Sequence, residues 1–260
     1  MCGSAILVLF LAVASPAMAE EPLHLTYRTY ALGAPVAEVE GTIESGPWTY
    51  QLALSFRTVG LARVVFAGHS TSSVSGAWQD NRPAPRHYAA HSVWRGTPRV
   101  ALIDYDRGIP AIRELLPPPE PEQELVAATL QTNSTDALSA LAALMHEVAR
   151  TGRCDSSLRT FDGRRAADMV SRTVGMETLA ADSRSSFSGP ALRCDFVSRM
   201  LAGFRLDQAD KTDYRPLRGS AWLAVAVPNR PPVPVRITLE TRWFGDATSY
   251  LTNAEGSGRQ

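Results

Sequence analysis

The sequence predicts a mainly β protein: one large curved antiparallel sheet, or a partly open β-barrel, with a single inserted α-helix. Three observations lead there. Apolar and polar residues alternate with period two along most of the chain, as strands with one buried and one wetter face require. One stretch alone, near residues 136–150, keeps helical spacing. Turn residues, such as Ser45-Gly46-Pro47 and Asp162-Gly163, separate several of the alternating segments.

The elements follow in order. Leu23, Leu25 and Tyr27 share one phase against His24, Thr26 and Arg28, and Ala37, Val39 and Ile43 oppose Glu38, Glu40 and Glu44. Trp48, Tyr50, Leu52, Leu54 and Phe56 form a long stripe backed by Gln51, Ser55 and Arg57. Further strands are predicted around 68–79, 84–95, 98–106, 153–161, 164–174, 186–200 and 220–227. Late in the chain Val233, Val235, Ile237, Leu239 and Trp243 oppose Arg236, Thr238, Glu240 and Arg242. Ser134 or Thr135 is the expected helix cap, Asp136 suits its positive first turn and Arg150 its last, and Gly152 stops it. Leu138, Leu141, Met145 and Val148 make its apolar stripe. The run Pro117-Pro118-Pro119-Glu120-Pro121 cannot join a ladder and is either a surface loop or a domain linker. Long stripes favour long bent strands over propeller blades, and their apolar inner face is either a packed core or a lipophilic cavity.

The N-terminus reads as an address. Residues 5–13 are an apolar run, and Ala17-Met18-Ala19 follows, which is the pattern of a secretory signal peptide cleaved near Ala19. The alternative is a buried N-terminal strand, although Glu20-Glu21-Pro22 ends the run sharply. The run falls short of the about 20 apolar residues a membrane span needs, and its n-region carries no Lys or Arg. The expectation is therefore residues 1–19 as signal and 20–260 as a single β-rich domain released to the periplasm, with no membrane span in the mature chain. Cys2 leaves with the signal, and no lipobox precedes it. Cys154 and Cys194 remain, and two thiols in an oxidising compartment most simply form one disulfide; a free catalytic cysteine is the alternative.

Composition excludes several functions. The chain of 260 residues is 45% apolar and 20% charged, so it can bury a core rather than stay disordered. Its 26 cations balance 26 anions, which leaves no excess to hold a nucleic-acid backbone. Lys211 is the only lysine and follows Asp210, so a phosphate loop of the Gly-Lys-Ser/Thr type is excluded; Gln208 likewise excludes Ser-x-x-Lys. No Gly-x-Ser-x-Gly, His-Glu-x-x-His, Cys-x-x-Cys or glycine-rich dinucleotide loop occurs.

Asp136-Ala-Leu-Ser-Ala140, Cys154, Phe161-Asp-Gly-Arg-Arg165, Ser188-Gly-Pro-Ala-Leu-Arg-Cys194, Gly203-Phe204 and Val233-Pro-Val-Arg-Ile237 together resemble the bacterial exported proteins of domain of unknown function 3108, over about residues 23 to 250. The resemblance implies an exported, mostly β envelope protein and supplies no catalytic residues. In that pattern the cysteines are a structural pair and Asp162-Gly163 is a hairpin turn.

Candidate chemistry is thin. His87 and His91 share a strand phase, but four strand residues span about 13 Å, too far for one zinc, so no metal site is expected. His69 and His146 lack acidic or cysteine neighbours at ligand spacing. Asp104 and Asp106 share a strand face at about 7 Å, near the spacing of paired glycosidase carboxylates, although Arg107-Gly108 marks a turn. Asp162 beside Arg164 and Arg165 is either an anion site or a solvated turn with a local ion pair. No catalytic, cofactor or metal residues are therefore assigned, and no cofactor is expected. Three readings stand: a carrier of a lipophilic or glycolipid ligand, a non-catalytic envelope scaffold working through a protein partner, and a hydrolase acting through Asp104 and Asp106.

Overall fold

A computed structural model describes residues 21–207, 214–241 and 245–256. The predicted signal peptide, Lys211 and Trp243 lie outside the described residues. Thirteen strands form one antiparallel sheet. The first seven are β1 (Leu23–Ala31), β2 (Ala34–Ser45), β3 (Thr49–Thr58), β4 (Gly68–Gln79), β5 (Arg82–Trp94), β6 (Thr97–Asp106) and β7 (Ile109–Leu116). The rest are β8 (Ser156–Phe161), β9 (Ala166–Leu179), β10 (Gly189–Ala202), β11 (Leu217–Ala224), β12 (Val233–Thr241) and β13 (Gly245–Gly256). Their order is β7-β6-β5-β4-β3-β2-β1-β13-β12-β11-β10-β9-β8. Every sequential neighbour is thus a hairpin partner, except that β1 and β13 pair the two halves and β7 and β8 are edges.

The sheet is the barrel-like option, left open. Its seam between β7 and β8 is spanned by the connecting chain. The Asn133 N–H donates to the Gly108 carbonyl at 2.7 Å, while Thr135 exchanges bonds with Arg159 O and Phe161 N on β8 at 2.8 and 2.7 Å. The proline run is a loop on this crossing, and the Arg164 guanidinium donates to the Pro117 carbonyl. Two short helices, α1 (Ala62–Phe66) and α2 (Ala128–Gln131), were not legible as apolar periodicity.

The long helix α3 (Ala137–Thr151) packs against β3, β4, β5 and β8, so it fills part of the concave face. Its burial is wider than the predicted stripe: Ala140, Ala142, Ala143 and Leu144 are buried together with Leu138, Met145 and Val148. Small alanines let a helix sit close to strands on more than one side. Gly152, at φ +68°, ends it as predicted. The cap differs from expectation: it is Asp136, whose carboxylate accepts the Ser139 N–H at 2.9 Å. Ser134 and Thr135 instead belong to the seam. Asp136 and Ser139 are fully buried.

Inward phases agree with the sequence for Leu23, Leu25, Tyr27, Ile43, Tyr50, Leu52, Val233 and Val235, all buried. Trp48 does not continue the β3 stripe. It lies in the β2–β3 turn and is 77% exposed. Strands β7 and β13 lie outside the strands the sequence predicts, since β7 contains Pro110 and β13 is mostly small and polar.

Candidate functional site

The inner face is filled unevenly. At one end α3 packs against Tyr50 and Leu52, and the Tyr50 hydroxyl donates to Ser139 Oγ at 2.8 Å. Toward the other end the inward side chains shrink. Strand β1 passes from Tyr27 to Thr29 and Ala31, β2 begins with Pro35 and Ala37, and β3 ends on Phe56 and Thr58. What the small residues leave is an apolar cavity of about 720 Å3. It is walled by these residues, by Trp94 at the end of β5, and by Thr241 and Ala247 of β12 and β13. Gly60, Leu61 and Ala62, where α1 begins, and Leu32 of the β1–β2 turn frame its mouth.

Local sequence explains the walls. Gly68 has no side chain because the Trp94 ring lies against it: a Cβ there would sit 2.3 Å from the indole. Phe56 meets the same ring, centroids 5.6 Å apart. The β1–β2 turn uses Leu32 and Gly33 at φ +50° and +78°, the left-handed pair a two-residue hairpin demands. Leucine is an unusual occupant of that conformation.

The cavity's chemistry is that of hydrocarbon. None of its described lining residues is titratable. Its three threonine hydroxyls are already engaged. Thr29 bonds Ser249 Oγ at 2.8 Å, Thr58 donates to Gly68 O at 3.2 Å and accepts its N–H at 3.1 Å, and Thr241 donates to Gly245 O at 2.6 Å. The walls can therefore exclude water and hold apolar matter, and they offer no acid–base pair. The other depressions on the sheet's convex side, such as the one lined by Thr42, Ser55, Ser73 and His91, are smaller and more polar.

The sequence-predicted candidates lie elsewhere. Asp104 and Asp106 point outward from β6, while Ile103 and Tyr105, in the alternate phase, are buried. Asp104 accepts from Arg113 Nε at 2.6 Å and pairs with His87 Nδ1 at 2.6 Å, and these partners hold its carboxyl below the usual range. Asp106 is 82% exposed beside Arg107. The two carboxylates share no cleft. His91 lines that convex-side depression and His87 hydrogen-bonds Asp104, so they do not converge. Among the described residues no group of three or more His, Cys, Asp or Glu could hold a metal. His146 stacks on Trp78 at 4.0 Å. The Asp162 carboxylate accepts the Arg164 and Arg165 backbone N–H groups at 2.8 and 2.7 Å, so it closes its turn through the backbone rather than through a guanidinium.

Cys154, just ahead of β8, and Cys194, within β10, are bonded with Cα atoms 6.1 Å apart. They tie two strands together across the intervening β9, and both are fully buried. Burial pushes the Asp136 carboxyl up, against the pull of its Ser139 bonds. It faces core tyrosines and no opening. Sequence reasoning missed the cavity walls, although the passage from Leu and Tyr to Ala and Thr on the inward phase was the available sign.

Residues 25–252 match the family described as protein of unknown function DUF3108. No curated protein matches the chain. Among solved structures, the chain is similar to a β-barrel-like protein of domain of unknown function DUF1849 from Brucella abortus. The identity is 10%, with 93% of this chain and 100% of that chain covered at a TM-score of 0.53. It also matches, at a TM-score of 0.36 and 10% identity over 91% and 96% of the two chains, a candidate exported protein with a YmcC-like fold from Bacteroides fragilis. The first of these likenesses supports the fold. No helix among the described residues is long and apolar enough to cross a membrane.

Proposed function

The chain belongs to the DUF3108 family of proteins of unknown function, and from that premise we propose that it is an exported carrier that shelters a lipophilic ligand in the cavity at the open end of its sheet. One observation carries the reading. The cavity is about 720 Å3, within the about 300–1,000 Å3 of small-molecule sites, and among the described residues neither a charge nor an uncommitted hydroxyl lines it. An apolar void of that size, open to water, is costly unless something apolar occupies it.

The ligand that fits is mostly hydrocarbon, with any polar end turned toward the mouth, because no described wall residue could satisfy it inside. The signal-like N-terminus supports export, and a periplasmic carrier is the role consistent with both. The hydrolase reading draws no support from the outward, separately paired Asp104 and Asp106.

The test is titration of the mature protein with a fluorescent fatty acid whose emission rises in apolar surroundings. Saturable one-to-one uptake that Ala37→Trp abolishes is expected, since Ala37 is buried in the cavity wall. Equal uptake by the wild type and by both Ala37→Trp and Ala247→Trp would place any binding elsewhere and refute the proposal.

A further inference from the structure

The cavity mouth carries features that holding a ligand does not need. Leu32 is held at φ +50° at the tip of the β1–β2 turn and is 78% exposed. A bulky aliphatic residue is disfavoured in that backbone region, and here its side chain gains no burial in return. Leu61, which caps α1, and Val64 within it are 84% and 85% exposed. Arg63 of α1 and Arg95 of the β5–β6 turn are exposed beside them.

These pieces form one rim. The Arg95 N–H donates to the Ala67 carbonyl at 2.9 Å, which seats the β5–β6 turn against the end of α1. Gly60 at the start of α1 lies so close to β2 that a Cβ there would be 2.9 Å from the Pro35 carbonyl. Leu32, α1 and Arg95 therefore surround the opening on contiguous segments. Glu240 and Asp246 line a depression on the convex side of β12 and β13, the face opposite the cavity-lining Thr241 and Ala247. The described rim carries exposed aliphatic tips, with the arginines Arg63 and Arg95 beside them.

We propose that this rim docks on an anionic lipid bilayer, with Leu32, Leu61 and Val64 entering the headgroup boundary and Arg63 and Arg95 facing lipid phosphates. Exposed aliphatic residues beside cations are what interfacial binding to anionic lipid uses. Such docking sets the cavity mouth against the membrane, so an apolar ligand passes between the two without crossing water. The transfer step rests on the carrier reading, whereas the docking surface stands on the rim alone.

The experiment is co-sedimentation of the mature protein with vesicles of phosphatidylcholine alone or mixed with phosphatidylglycerol. The triple variant Arg63→Glu, Val64→Asp, Arg95→Glu is measured in parallel, with fluorescent fatty-acid uptake recorded for each protein. The wild type should bind the mixed vesicles, bind pure phosphatidylcholine at least tenfold less, and weaken as salt rises. The triple variant should lose at least tenfold of vesicle binding with fatty-acid uptake unchanged, since none of its three residues lines the cavity. No vesicle binding by the wild type, equal binding by the variant, or a rim buried in a stable dimer would overturn the proposal. Vesicle binding without fatty-acid uptake would sink the carrier reading and leave the docking surface standing; uptake without vesicle binding would do the reverse.

Discussion

Removing the Cys154–Cys194 bridge should cost this protein a large part of its stability and leave the cavity untouched. The bond closes a loop with a sequence separation of 40. In the chain-entropy account such a loop adds about 4 kcal/mol by restricting the unfolded chain. Its position adds a local consequence. Strand β8 is a sheet edge held by β9 on one side and by the Thr135 bridge on the other, and Cys154 anchors the chain entering it. For a domain of this size each kcal/mol shifts the melting temperature by about 2–4 °C, so the loss is about 8–16 °C. The assay is thermal unfolding by circular dichroism of the oxidised protein, the same protein reduced, and the Cys154→Ala/Cys194→Ala double variant. Hydrogen exchange should show β8 amides losing protection first. Oxidised and reduced melting temperatures within about 2 °C of each other, or quantitative alkylation of both thiols without reductant, would refute the reasoning.

Four further outcomes follow from particular contacts. Asp136→Ala removes the helix cap and strands the buried Ser139 N–H and hydroxyl, so unfolding free energy should fall by about 2–3 kcal/mol in a denaturant titration. Burial raises the folded carboxyl of Asp136, so the stability linked to its protonated form is complete below the unfolded value near 3.9 and is lost as pH rises through the folded value. Asp136→Asn should therefore gain stability relative to wild type as pH rises above about 4, and parallel stability–pH curves would contradict this. Gly76→Ala would place a Cβ 2.4 Å from the Tyr50 ring, which is fully buried, and should cost about 1–3 kcal/mol by the same titration. Asp104→Ala should change stability by no more than about 0.5 kcal/mol, because its partners are at the solvent surface; a larger loss would reopen a role for that cluster.

Much of the sheet could be read from the chain because period two survives wherever one face is buried. Leu23, Leu25 and Tyr27, or Val233 and Val235, declare their phase without help from the rest of the molecule. Strand β7 hid because an edge strand keeps little one-sided burial: Ala111, Ile112, Arg113 and Glu114 are all exposed. Strand β13 hid because adjacent Tyr250 and Leu251 are both buried, and a register shift in its pairing with β1 at Thr26/Tyr27 breaks the alternation there. The helix was legible, but not its berth. Nothing local says that Ala140 and Ala143 press against strands rather than face water. The cavity was the least legible feature, since its walls are ordinary alanines and threonines whose meaning lies in what is not filled. The Cys pair could be counted in sequence, whereas its crossing over β9 is a matter of topology.

The central claim is that the end of the sheet left empty by α3 holds an apolar ligand. The most direct measurement is native mass spectrometry of the protein purified gently from its own compartment, followed by denaturation and lipid analysis of what is released. The account predicts one equivalent of a lipophilic molecule on the wild type and none on Ala37→Trp. A bound molecule retained equally by the variant, or a wild type that is bare and takes up no fluorescent fatty acid, would contradict it.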